Sequence, residues 1–104
     1  MKNWPIVLAG ALAVLAASAA NAETIKVTIK GMKFTPAEIA VHVGDTVEWA
    51  NEDFVTHTAT AKDKAWDVVI GAGKTGTLTI TKAGDVDYFC RFHPNMKAKL
   101  SAAE

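Results

Sequence analysis

From residue 23 onward, apolar and polar residues alternate. In "TIKVTIK" (Thr24–Lys30), Ile25, Val27 and Ile29 share one side. A period of two is that of a strand with one buried face. "EIAVHV" and "TVEWAN" repeat the pattern and are joined by Gly44 and Asp45, a turn pair. "FVTHTAT", "WDVVI", "TGTLTIT", "VDYFCRF" and "MKAKLSA" follow, with a second Gly-Asp turn at Gly84 and Asp85. No segment sustains a helical period. The pattern predicts about eight short strands with a turn about every 8–12 residues, an all-β antiparallel sandwich or small barrel. "KAWDVVIGAGKTG" carries three glycines and is the least regular part, a long loop or a short helical turn.

The start of the chain differs. Lys2 precedes "IVLAGALAVLAASAA" (Ile6–Ala20), which has no charge, and "ANA" closes it at Ala20–Ala22. A basic start, an apolar run and an A-x-A site form a secretory signal peptide. The run is shorter than the roughly 18–20 residues of a spanning helix, so cleavage after Ala22 is expected over retention as an anchor. There is no twin-arginine pair, which points to general export, with any cofactor acquired outside. Residues 23–104 then form a single domain in the periplasm. A domain this small buries only about 60–65% of its unfolded surface.

Charge narrows the partners. The sequence has 11 Lys and Arg against 11 Asp and Glu. Removing residues 1–22 costs only Lys2 among them, leaving a slight negative excess. With no basic stripe, nucleic acid is excluded as a partner. "GAGKTG" (Gly71–Gly76) imitates a phosphate loop, but its lysine precedes the last glycine and no helix plainly follows, so it reads as a connection between strands.

The chain has one cysteine, Cys90. In an exported protein a lone thiol is a reactive group, half of an intermolecular bridge, or a metal ligand. Metal binding would protect the thiol and stabilise a small domain that has no disulfide. Cys90 lies in "YFCRFHPNM", three residues before His93 and six before Met96. On a helix, Met96 would sit about 120° round from Cys90; on a strand, Cys90 and His93 would face opposite ways. A tight loop can focus all three, and Pro94-Asn95 supplies turn chemistry. The expected arrangement is Cys90 at a strand end, His93 in the loop and Met96 at the start of the next strand. Thiolate and imidazole suit copper or zinc; the thioether selects copper. A structural zinc site would call for more thiolates or a full Cys/His set. Two histidines, a cysteine and a weak axial methionine make a blue-copper set. The second histidine is His42 or His57. His42 sits mid-strand in "IAVHVGD" and reads as a solvated face. His57, in "NEDFVTHTAT", stands at a strand entry beside a polar loop, where strand-end loops converge.

These residues together resemble the cupredoxins, most closely the amicyanin and plastocyanin group. The resemblance spans about Glu23 to Ala98 and rests on "FTPAEIAVHVGDTVEWANED" and on the short Cys-x2-His-x2-Met spacing of "YFCRFHPNM". It implies a Greek-key β-sandwich and one copper ion. His57, Cys90 and His93 would form the trigonal plane, with Met96 as the long axial ligand. It implies a one-electron carrier rather than an enzyme. Its partners would be transient: a dehydrogenase donor such as methylamine dehydrogenase and a c-type cytochrome acceptor. No stable oligomer is expected. A copper carrier or resistance protein is the alternative. The sequence departs from the family at Thr58, where asparagine is common, at Arg91, where a small hydroxyl residue is common, and at Thr56, where proline is frequent. Thr58 has an N–H and a hydroxyl for the Cys90 sulfur or the facing loop; Arg91 is expected to reach outward. Phe54, Phe92 and Pro94 would offer an apolar docking rim, the two phenylalanines being equally suited to core packing. Met32 reads as packing near these loops.

Overall fold

A computed structural model describes residues 22–104. The expected signal peptide therefore falls, but for Ala22, outside the described residues. Within them lie nine strands: β1 (Thr24–Ile29), β2 (Phe34–Thr35), β3 (Glu38–His42), β4 (Thr46–Asn51), β5 (His57–Ala61), β6 (Asp67–Ile70), β7 (Thr75–Thr79), β8 (Gly84–Cys90) and β9 (His93–Ala103). They form two sheets, in the orders β2-β1-β4-β7 and β3-β9-β8-β5-β6. Residues 71–74 make a turn between β6 and β7 with Gly73 left-handed at φ 71°, so the glycine-rich segment is a connection, with neither a helix nor a phosphate loop.

The alternation places the core as expected. Val27, Ile29, Val47 and Trp49 from the first sheet meet Ile39, Val41, Tyr88 and Leu100 from the second. Each such side chain contributes about 1.5–3 kcal/mol by leaving water. The Trp49 indole N–H donates to the Tyr88 hydroxyl at 3.2 Å across the sheets. This satisfies two polar groups that would otherwise be costly to bury.

The antiparallel expectation needs correction. β1 runs parallel to β4, and β3 parallel to β9. Alternation and turn spacing say which face of a strand is buried but not which strand lies beside it. The turn after β3 does not close a hairpin; it carries the chain from one sheet to the other. Gly44 takes φ 101° there, and the Asp45 carboxylate accepts the Glu23 and His42 N–H groups at 2.9 and 2.8 Å.

Candidate metal centre

One end of the sandwich gathers the chemistry-bearing side chains. β8 ends at Cys90, and the chain reverses through Arg91 and Phe92 alone, so that Cys90 pairs with His93. The next register pair is Phe89 with Lys97. Pro94, Asn95 and Met96 therefore stand opposite no residue of β8. The tight turn lies one step earlier than expected, before His93, and the Pro94-Asn95 chemistry serves a bulge in β9. The physical effect is the one anticipated: an irregular backbone brings to one place side chains that a regular strand would alternate. Met96, after the bulge, is buried, at 4% exposure.

His57 opens β5. The preceding loop is shaped by Asn51, whose amide donates to the carbonyls of Val55, Ile70 and Gly71 and whose Oδ1 accepts the Asp53 N–H. Asp53 then accepts from His57 Nε2 at 2.9 Å. A carboxylate only accepts, so Nε2 carries a proton; in the neutral ring this leaves the Nδ1 lone pair for a metal. Asp53 also accepts the Gly31 and Met32 N–H groups at 2.8 and 3.0 Å. Those N–H groups of Met32 and Gly31, ahead of His57, hold its carboxyl below the usual carboxylate range. The sequence reading missed Asp53. Its only signal was a carboxylate four residues before a histidine.

His57 Nδ1 and His93 Nδ1 each lie 3.6 Å from Cys90 Sγ. The three donor atoms fall within 4.8 Å of one another. A divalent metal about 2.0 Å from nitrogen and about 2.3 Å from sulfur, at trigonal to tetrahedral angles, separates those donors by about 3.5–3.7 Å. The spacing thus fits a metal ion better than it fits hydrogen bonds. His57 and Cys90 are fully buried, whereas His93 is half-buried. Imidazole, thiolate and a nearby buried thioether are the donors copper prefers. His42 stands apart, its exposed ring 3.9 Å from Asp45.

Thr58 and Arg91 have definite places. The Thr58 N–H donates to Cys90 Sγ at 3.3 Å, and its hydroxyl accepts the Arg91 N–H at 2.9 Å. The Arg91 side chain does not simply reach outward. It lies against the Phe92 ring, 5.0 Å from the centroid, and forks onto Asp67 with two hydrogen bonds of 3.0 Å. Phe54 is 99% exposed and Phe92 49%, so neither packs in the core. Pro94 is exposed too, and Met32, 41% exposed, lines a surface groove with Phe92, His93, Pro94 and Met96.

Comparison with known proteins agrees with the geometry. The cupredoxin-like domain family matches residues 5–102. The chain is 29% identical to amicyanin of Paracoccus versutus over 92 residues, 83% of this chain and 70% of that protein. It is 33% identical to amicyanin of Paracoccus denitrificans over 82 residues, 73% of this chain and 63% of that one. A solved structure of the copper(I) form of an amicyanin variant superimposes with a TM-score of 0.68 at 32% identity, covering 76% of this chain and 81% of the other. Nine strands in two facing sheets, a copper-type donor set at one end and this likeness lead to one conclusion: the chain belongs to the cupredoxin family and is amicyanin-like.

Proposed function

We propose that the protein is a periplasmic one-electron carrier, with His57, Cys90, His93 and Met96 as its copper ligands. The observation that carries this reading is the placing of two imidazole Nδ1 atoms at 3.6 Å from one buried thiol. Bound there, copper supplies a Cu(II)/Cu(I) couple. The protein's part is to hold the donors still. Asp53 fixes the His57 ring and the Thr58 N–H stabilises charge on the Cys90 sulfur. Met96, buried just beyond the bulge in β9, would supply the thioether as a fourth ligand. Small displacement on gaining an electron means fast transfer, and ligands set in a packed interior move little.

His93 is the one histidine of the set with its ring part-exposed, and it gives the electron a short way out. Phe92, Pro94 and Met32 line a groove with His93, and Phe54, almost wholly exposed in the loop before His57, would add apolar surface for brief docking. By likeness to amicyanin, the donor is a dehydrogenase such as methylamine dehydrogenase and the acceptor a c-type cytochrome. Residues 1–22 serve as a cleaved signal peptide and residues 23–104 as the functional domain. A fully buried thiol suits retention of the metal over hand-off to another protein, which sets this reading above a copper carrier.

Copper(II) added to the protein should give an intense thiolate-to-copper absorption band, and Cys90→Ser should abolish it. Met96→Leu should keep the colour and shift the reduction potential. A colourless copper complex with Cys90 intact would sink the assignment.

A further inference from the structure

A closed ring of hydrogen bonds links the buried Thr58 and Thr60 of β5 to Asp67 and Arg91 at the surface. Asp67 is its fixed point. The guanidinium of Arg91, and after it the Thr60 hydroxyl, hold this carboxyl below the usual carboxylate range. It is an anion at neutral pH and can only accept. The Thr60 hydroxyl therefore donates its one proton to Asp67. Thr60 Oγ1 also touches Thr58 Oγ1 at 2.8 Å. Its proton being committed, Thr60 must accept here, so Thr58 donates. That leaves the lone pairs of Thr58 Oγ1 for the Arg91 N–H. The Arg91 guanidinium closes the circuit on Asp67. All the hydroxyls point one way, from the Arg91 backbone through Thr58 and Thr60 to the carboxylate. Aligned chains of this kind strengthen one another.

The ring straddles both metal-binding segments. Thr58 follows His57, and Arg91 follows Cys90. The Thr58 N–H is also the donor to Cys90 Sγ. We infer that Thr60 and Asp67 are positioning residues for the thiolate: they fix the Thr58 hydroxyl and, through it, the N–H that neutralises charge on the Cys90 sulfur. Asp67 also keeps the Arg91 guanidinium folded back over Phe92. This inference rests on the copper reading.

The clean test is Thr60→Val, which removes the hydroxyl while keeping the side chain's shape and the protein's charge. Weakening the N–H···S link removes stabilisation that favours the reduced, more electron-rich sulfur. The potential of the copper protein should therefore fall and its thiolate-to-copper band should shift. Thr60→Ser, which retains the hydroxyl, should restore both to the wild-type values. If Thr60→Val does not fold, Asp67→Ala removes the ring's acceptor from the surface side, and its band should shift likewise. Wild-type band and potential in Thr60→Val, with only the melting temperature lowered, would overturn the inference; so would an unshifted band in Asp67→Ala where that variant stands in. A wild-type protein with no such band would instead sink the copper reading itself.

Discussion

The His57 ring is aimed by Asp53, a side chain that never needs to touch the metal. With Nε2 donating at 2.9 Å, the ring can neither spin nor change tautomer cheaply. Losing such a partner typically costs about 10–100-fold in metal affinity. Asp53→Ala should therefore weaken copper binding by about that factor, measured by competition with a chelator, while a residual coloured complex persists. The pH dependence follows from the lowered carboxyl. A group whose folded pKa is depressed contributes stability that is present above its unfolded value, near 3.8, and lost as pH falls through the lower folded value. The melting temperature of wild type should drop more steeply than that of Asp53→Ala below about pH 4. Cys90, His93 and Met96 were legible because they share one short stretch and their chemistry selects a metal. His57 was legible as a distant histidine beside a polar loop. Asp53 was not, because a carboxylate four residues from a histidine means nothing until the loop between them has a shape.

Strands bring their own constraints. At Gly76 on β7 an added Cβ would stand 2.8 Å from side-chain carbons of both Ile70 and Val68 on β6. This is where the edges of the two sheets close on each other, and Gly76 pairs with the buried Trp49. Its backbone would accept any residue; its surroundings would not. Gly76→Ala should destabilise the fold by about 1–3 kcal/mol through overpacking, read by denaturant unfolding. The copper band should survive, unless Ile70, which pairs with His57, is pushed out of place. Element existence was largely readable from alternation. Partnership was not: neither parallel pairing has a local signature, and the three-residue excursion in β9 shows only once Cys90 and Lys97 are seen against their partners.

Across the whole molecule, one aromatic cluster joins the sheets. Tyr88 packs edge-on to Phe34 and Trp49, with ring centroids 5.0 and 5.7 Å apart, and Trp66 lies 5.5 Å away. Burial pushes the Tyr88 hydroxyl up to about 12, the bond from Trp49 opposing it. A raised pKa means stability that is intact below the unfolded value, near 10, and lost as pH rises toward the folded one. Unfolding free energy should fall by at most about 1.4 kcal/mol per pH unit over that window. Tyr88→Phe should flatten this slope while lowering stability at neutral pH, since it leaves the Trp49 N–H without its acceptor, at a cost of about 1–3 kcal/mol.

Asp53 has one more consequence. The tip of the β1–β2 hairpin places Gly31 and Met32 in succession at φ 63° and 62°, a conformation a methionine rarely adopts. The carboxylate that receives their N–H groups is the one that orients His57. Two requirements that look independent, the contour of the surface beside the metal and the aim of a ligand, share a single cause. Remodelling that hairpin tip should therefore also disturb the aim of the imidazole, so the contour of this surface and the setting of His57 are coupled traits at position 53.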